Sequence, residues 1–264
     1  MPTIKVNNIN LYYQQHGQGP DLVMVAGLSA PHTTWLKILD ALSQHFRVTI
    51  FDNRGVGESG IPETPYTIAD MAQDVIGLMD HLNIEKAYVY GHSMGGFIMQ
   101  HLLQHHADRI TKAIVSCASV FPDPGYELHK QVQTELTKLA IPPELLIRNN
   151  LPFLFGKGFL SEADRVNEFV QLVMTRPAQP PAGFNGQIAA IKAFARQQLK
   201  FESINLPVLA LGCSEDRIAT PESAKFIAGK IPNAQCHIIE NCGHIPHLEK
   251  PDVLMQVLMD FYLG

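Results

Sequence analysis

Apolar residues follow two rhythms along this chain, and the rhythms alternate. Asp21 to Ala26 is the continuous apolar run of a strand buried on both faces, and Arg47 to Phe51, Ala87 to Tyr90, Ile110 to Ser116, Leu206 to Gly212 and Ala234 to Ile239 read as further strands. Between them the apolar positions spread to helical spacing. A helix is predicted from about Thr34 to Ser43, and another from Ile68 to His81, where Met71, Val75, Leu78, Met79 and Leu82 form one stripe behind Thr67 as cap. A third follows Met94, with Phe97, Ile98, Leu102 and Leu103 on one face. Thr3 to Val6 and Asn10 to His16, around an Asn-Asn turn, read as an antiparallel start at the sheet edge. Strand and helix in alternation predict an α/β fold, a mostly parallel, doubly wound sheet of about eight strands.

From Phe121 to about Lys200 the rhythm changes. Helical periods dominate, prolines stand at 122, 124, 142, 143, 152, 177, 180 and 181, and no segment reads convincingly as a strand. The predicted organisation is therefore a core of residues 1–120 and 201–264, interrupted by a helical cap at 121–200. Such a cap would lie over the carboxyl edge of the sheet, where open α/β sheets hold their ligands.

Composition narrows the partners. With 264 residues, 46% of them apolar, and a formal charge of −5, the chain lacks the basic excess that nucleic acid or an anionic membrane would require. Met1 to Asn8 contains no apolar run of signal-peptide length, and no later segment approaches the roughly 18 apolar residues of a membrane span, so a cytoplasmic protein, monomer or homodimer, is expected. Cys117, Cys213, Cys236 and Cys242 show no C-x-x-C spacing and read as free thiols.

Two motifs compete for the chemistry. Gly55, Gly57 and Gly60 spell a literal GxGxxG after a strand, yet Ile61-Pro62-Glu63-Thr64-Pro65 follows, and two prolines so close do not open a helix. No nucleotide cofactor is expected. The other motif is Gly91-His92-Ser93-Met94-Gly95, a GxSxG pattern between an apolar strand and a helical period. It places Ser93 on a strained strand-to-helix turn, with Gly91 and Gly95 leaving room and the next amides, Met94 first, aimed where negative charge would form.

An alcohol needs a base to take its proton and an acid to orient that base. Two further strand ends supply candidates: Gly212-Cys213-Ser214-Glu215-Asp216 offers Asp216, and Glu240-Asn241-Cys242-Gly243-His244 offers His244. The order Ser93, Asp216, His244 is the one expected when this chemistry is built on such a sheet. His247 is the alternative base, and Glu215 and Asp123 are the alternative acids. The turn after the strand ending at Ala26 would contribute the Leu28 amide, with that of Met94, to an oxyanion hole. His101 and His105 lie one helical turn apart beside His106, but no HExxH pattern or third ligand accompanies them, so no metal is expected.

Together the Gly27 turn, Asp52 to Ser59, Gly91 to Gly96, Asp216 and Gly243-His244-Ile245-Pro246-His247-Leu248-Glu249-Lys250-Pro251 resemble the α/β-hydrolase superfamily across nearly the whole chain. The segments around Ser93 and His244 are similar to the capped single-domain members, among them carboxylesterases, 3-oxoadipate enol-lactonases and pimeloyl-carrier-protein methyl ester esterases. The resemblance implies hydrolysis of a small-molecule ester or lactone. It also marks a departure: Ala26-Gly27 stands where members usually have His-Gly, so a side chain that often buttresses the oxyanion loop is missing. Serine at 93 argues against dehalogenase and epoxide hydrolase chemistry, which needs aspartate there. Two other readings stay open: a carbon–carbon bond hydrolase of dienone acids, with Arg148, Arg165, Arg176 or Arg196 as an acid clamp, and a ligand receptor retaining the triad.

Overall fold

The computed structural model describes residues 2–118, 123–136, 138–195 and 200–264. Strands β1 (Thr3–Val6) and β2 (Ile9–His16) form the antiparallel entry. Asn7 and Asn8 turn between them at φ 44° and 67°, left-handed angles that asparagine tolerates better than most residues. The chain then alternates through β3 (Asp21–Val25), α1 (Leu36–Ser43), β4 (Arg47–Phe51), α2 (Ile68–His81), β5 (Ala87–His92), α3 (Met94–His105) and β6 (Ile110–Ser116). Helices α4 (Pro124–Leu136), α5 (Pro143–Leu154), α6 (Lys157–Leu160), α7 (Ala163–Thr175) and α8 (Pro181–Phe194) are inserted before β7 (Val208–Cys213). Helix α9 (Pro221–Lys230), β8 (Gln235–Ile239), α10 (Pro246–Glu249) and α11 (Pro251–Leu263) complete the fold.

The eight strands lie in the order β1-β2-β4-β3-β5-β6-β7-β8, with β2 antiparallel to both neighbours and every pair from β4 onward parallel. From β3 the chain steps outward to β4, then returns past β3 to β5. The strand order therefore reverses between β3 and β5, and the crevice at such a switch point is where open sheets of this kind bind ligands.

Burial explains why the central strands read as unbroken apolar runs. Leu22 and Met24 of β3 pack into one cluster with Trp35, Leu42 and Tyr262, while Val23 and Val25 face the opposite cluster with Met71, Val75 and Ile98. Successive side chains point to opposite faces and helices cover both faces, so no position of β3 is free to be polar. Each such leucine, fully buried, contributes roughly 1.5–3 kcal/mol over its exposed state.

Element boundaries differ from the sequence expectations in places. The helix from Thr34 begins as a 3-10 turn over His32–Trp35 and becomes α-helical at Leu36. The strand expected from Leu206 starts at Val208, because Pro207 has no N–H for the ladder, although its carbonyl still accepts from the Ala113 amide at 3.0 Å. Cys236 is exposed on edge strand β8, whereas Cys117, Cys213 and Cys242 are buried. Thr67 does cap α2, in a capping box: its hydroxyl accepts from the Asp70 amide, and the Asp70 carboxylate accepts from the Thr67 amide at 2.7 Å. Phe121, where the change of rhythm was read, lies outside the described residues, as does the 120/121 boundary. No helix among the described residues is long and apolar enough to cross a membrane.

Candidate active site

Strand β5 delivers Ser93 into a backbone conformation that serine adopts only under constraint, φ 55° and ψ −116°. Its neighbours show why the motif needs glycine. A Cβ on Gly95 would lie 2.1 Å from the Val25 carbonyl oxygen, and one on Gly91 would lie 2.3 Å from that of Gly95. The Ser93 amide donates to the Ser116 carbonyl at 2.9 Å, and its own carbonyl accepts from the Gly96 amide at 2.8 Å, so strand and helix are tied through the turn.

Two other loops meet this serine. His244 places Nε2 2.9 Å from the Ser93 hydroxyl oxygen and Nδ1 2.8 Å from Asp216 Oδ2. The other carboxylate oxygen of Asp216 accepts from the Ile218 and Ala219 amides at 2.8 and 2.9 Å. Both Asp216 and His244 are buried, while Ser93 stays partly exposed. The three side chains read from sequence are thus brought into one hydrogen-bonded run. Such a run can move a proton off a hydroxyl and stabilise the resulting imidazolium.

The alternatives go elsewhere. His247 turns Nε2 to the Thr34 hydroxyl at 3.1 Å, beneath Trp35. Glu215 accepts from the Lys157 amide at 2.5 Å, and Asp123 accepts from the Tyr126 amide at the start of α4. Gly27 packs against Ser93, since a Cβ there would sit 3.1 Å from Ser93 Cβ, which brings the Leu28 turn beside it. Met94 begins α3 directly after the serine, so its amide is among those with no intrahelical partner.

Further residues shape the site, and of these His92 and Glu249 carry no signal in the sequence. His92 and His247 lie beside His244 with ring centroids 5.1 Å (His92 to His244) and 5.0 Å (His92 to His247) apart. Burial, reinforced by the neighbouring histidines, pushes His92 well below the ordinary imidazole value, and burial pushes His247 down to about 3. Both rings are therefore neutral near pH 7. The loop carrying His244 is fixed from α10 and the insertion together: Glu249 accepts from the Gly243 amide at 2.9 Å and the Gly156 amide at 3.1 Å, and the His244 amide donates to the Leu154 carbonyl at 2.9 Å. Leu154 and Phe155 pack into one apolar cluster, and the Leu154 carbonyl also holds the histidine backbone.

The GxGxxG segment has a structural task. Gly57 sits at φ 61° because a Cβ there would come 2.2 Å from the Asp52 carboxylate, which accepts from the His32 and Glu58 amides. Arg54 pairs with buried Asp74 through two contacts of 2.6 Å, pinning this loop to α2. Of the four insertion arginines considered as an acid clamp, Arg148 binds Glu144 and Asn167, and Arg165 binds Glu162 and the Glu249 carbonyl. Arg196 lies outside the described residues. Arg176 is half-buried, its guanidinium has no hydrogen-bond or ion-pair partner among the described residues, and burial lowers its pKa. One group of possible metal ligands gathers among the described residues, Cys117 with Asp216 and His244, their ligand atoms within 4.8 Å of one another. Asp216 and His244 are already engaged with each other there.

Comparison with known proteins bears on the family and the fold. 3-Oxoadipate enol-lactonase 1 of Acinetobacter baylyi is 28% identical over 244 residues, 92% of this chain and 88% of its own length. RutD of Caulobacter sp. (strain K31), provisionally named a carbamate hydrolase, is 29% identical over 96% of both chains. Among solved structures, the enol-lactonase from Burkholderia xenovorans LB400 superposes with a TM-score of 0.85 at 28% identity, covering all of both chains. The sequence profile described as "alpha/beta hydrolase fold" matches residues 20–251. With that profile spanning most of the sequence, the chain belongs to the alpha/beta hydrolase fold family.

Proposed function

We propose that this protein hydrolyses carboxylic esters or lactones of small molecules through an acyl intermediate on Ser93, with no cofactor. The observation that carries the reading is the unbroken run from the Ser93 hydroxyl through both nitrogens of His244 to Asp216, whose second oxygen is held by two amides. The relatives named as enol-lactonases support the choice of substrate class.

In this reading the Ser93 oxygen attacks the carbonyl carbon while His244 Nε2 takes its proton. Asp216 keeps the proton of the imidazole on Nδ1 and stabilises the imidazolium. The carbonyl oxygen becomes an oxyanion held by the amides of Leu28 and Met94. Collapse breaks the carbon–oxygen bond, and the departing alkoxide takes the proton from His244. For an ester the alcohol leaves; for a lactone it stays attached as the far end of the acyl group. Water, deprotonated by the same histidine, then cleaves the acyl-serine and returns Ser93 to its starting state.

The test is turnover of p-nitrophenyl esters, simple lactones and aryl carbamates by the wild type and Ser93→Ala, with fluorophosphonate labelling read by intact mass. Ester or lactone turnover that disappears in Ser93→Ala, with one label on the wild type, is the expected result. Carbamate turnover without ester turnover would move the reading to the class named for RutD. Absence of all three, with no label, would overturn it.

A narrower substrate reading rests on Arg176. It stands at the end of α7, three residues before Gln179, whose side chain reaches Ser29 beside the site. A half-buried guanidinium without a protein carboxylate favours a substrate that brings its own anion. Higher kcat/KM for half-esters of dicarboxylic acids than for neutral esters, with the difference lost in Arg176→Ala, would support it.

A further inference from the structure

The loop that follows β3 is held in a shape its own residues do not favour. The Ala30 amide donates to the Gly27 carbonyl at 3.3 Å, closing a turn with Leu28 and Ser29 in the middle. Ser29 has φ 60°, whereas Leu28 is absent from the left-handed residues, which is the pattern of a type II turn. That turn normally places glycine or asparagine in its third position. With serine there, flipping the Leu28–Ser29 peptide would give the type I turn that most sequences prefer. Something outside the turn must prevent the flip.

Leu28 packs its side chain against the core, but the hydrogen bonds that come from the core hold the two ends of the loop. Asn53 Nδ2 donates to the Ala26 carbonyl at 3.0 Å, and Asp52 accepts from the amide and ring of His32 at 2.5 and 2.9 Å. The middle is held from the helical insertion. The Ser29 amide donates to Gln187 Oε1 at 3.0 Å, and the Ser29 hydroxyl donates to Gln179 Oε1 at 2.5 Å. Gln187 is fully buried, and its Nε2 donates to the Arg54 carbonyl at 3.0 Å. Gln179 Nε2 donates to the Gly55 carbonyl at 2.8 Å.

Helix α8 is seated so closely that Gln187 has little freedom. A Cβ on Gly183 would lie 2.0 Å from the Gly55 carbonyl oxygen, and one on Gly186 would lie 2.5 Å from the Tyr66 ring. The Tyr66 hydroxyl donates to the Gly183 carbonyl at 3.2 Å, and the Arg54 backbone is steadied by the Arg54–Asp74 pair. Gln187 thus bridges two core loops, one of them carrying the Leu28 amide beside Ser93.

We infer that Gln187 is a positioning residue for the oxyanion hole: by accepting the Ser29 amide it holds the Gly27–Ala30 turn so that the Leu28 N–H faces the developing oxyanion. The inference rests on the serine hydrolase reading above and assigns Gln187 no contact with substrate.

The experiment compares wild type, Gln187→Leu and Gln187→Leu/Ser29→Gly on one activated ester. Gln187→Leu should lower kcat by about 10–100-fold, part of what loss of an oxyanion donor costs, with KM within about threefold and the pH profile unmoved because His244 is untouched. Affinity for a trifluoromethyl ketone, which forms an oxyanion on Ser93, should fall by a similar factor. Glycine tolerates left-handed φ, so Ser29→Gly in the same chain should restore at least part of kcat, which a merely structural role for Gln187 would not produce. If Gln187→Leu does not fold, Ser29→Pro in the exposed loop removes the same N–H and forbids the left-handed angle. It should then lower kcat comparably. An unchanged kcat in a folded Gln187→Leu, or an unchanged kcat in Ser29→Pro, overturns the inference while leaving Ser93-dependent hydrolysis intact. Failure of the hydrolase reading would instead appear in the wild type and Ser93→Ala.

Discussion

Strand β7 buries all six of its residues, whereas α4, with thirteen, buries none. The contrast extends to the regions around them. Core strands place Leu22, Val23, Val89 and Leu211 out of contact with solvent, while the insertion leaves Leu128, Leu139 and Leu145 more than half exposed. Helices α5 and α7 bury one residue each, Leu151 and Val170. Helix α8 is the exception: Gly183, Gln187, Ala190 and Phe194 are all buried, and two of its glycines admit the core at backbone distance. The insertion is therefore graded, with one helix joined to the Gly27–Ala30 turn and others resting on the surface. Ser93, Asp216 and His244 hang from core strand ends; the insertion reaches the His244 backbone through the Leu154 carbonyl and the Ser29 turn through Gln187.

The largest effect that could break this division is on chemistry. Asp216→Asn keeps the side-chain shape but lets the amide favour the wrong imidazole tautomer, and should lower kcat by about 10⁴-fold. Steady-state hydrolysis of an activated ester measures it. A loss below about tenfold would mean that the core acid does not govern the base, and the division of labour would fail with it.

A smaller effect sharpens the same contrast in stability. Leu211→Ala in β7 opens a cavity among atoms that cannot all relax into it and should cost about 2–5 kcal/mol in urea unfolding. Below about 1 kcal/mol, the core would be packed no more tightly than the insertion.

What the sequence made legible follows the same line. The central strands were visible because double-sided burial forces unbroken apolar runs; Ser93 stands directly after one of them, and Asp216 and His244 lie three and five residues past the ends of β7 and β8. Gln187 was not visible. Its partner Ser29 lies 158 positions away, and a glutamine in a helical period reads as a solvated residue. Glu249 was hidden for a related reason: its value lies in accepting the amides of Gly243 and Gly156, and backbone donors leave no residue-type signal. His247 was noticed as a spare base, while its burial, which removes it from that role, depends on Trp35 far back in the chain. Arg148 and Arg165 were read as possible ligands for an acid, and only the fold reveals that Glu144 and Glu162 of the insertion and the Glu249 carbonyl of the core occupy them.

The acid response distinguishes the two regions next. His247 in the fold takes a proton only near pH 3, while in an unfolded chain it does so near 6.5, and His92 is shifted in the same direction. Between those values the unfolded state binds more protons than the folded one, so stability rises with pH across the window. The contribution is full above about pH 6.5 and is lost as pH falls toward 3. His247→Gln, which cannot titrate, should flatten the decline in urea midpoint between pH 6.5 and 4.5, by up to a few kcal/mol at the acid end. An unchanged slope would mean the ring is solvated, and the site would lack the dry underside that the contrast with the insertion assumes.

The smallest effect is the most direct challenge to the view of α4 as a surface helix. Leu128 is 62% exposed and no residue of its helix is buried, so Leu128→Ser removes little apolar area from any packed environment. Serine costs a few tenths of a kcal/mol in helix propensity relative to leucine. The substitution should therefore change unfolding free energy by no more than about 0.5 kcal/mol, as other exposed positions do. Ester kcat should stay at the wild-type level, since α4 supplies neither an amide nor a side chain to the Ser93 run. A cost above about 1.5 kcal/mol would show that Leu128 is covered in solution. The insertion would then be stabilised through its outer face, and the grading from α8 outward to α4 would have to be redrawn.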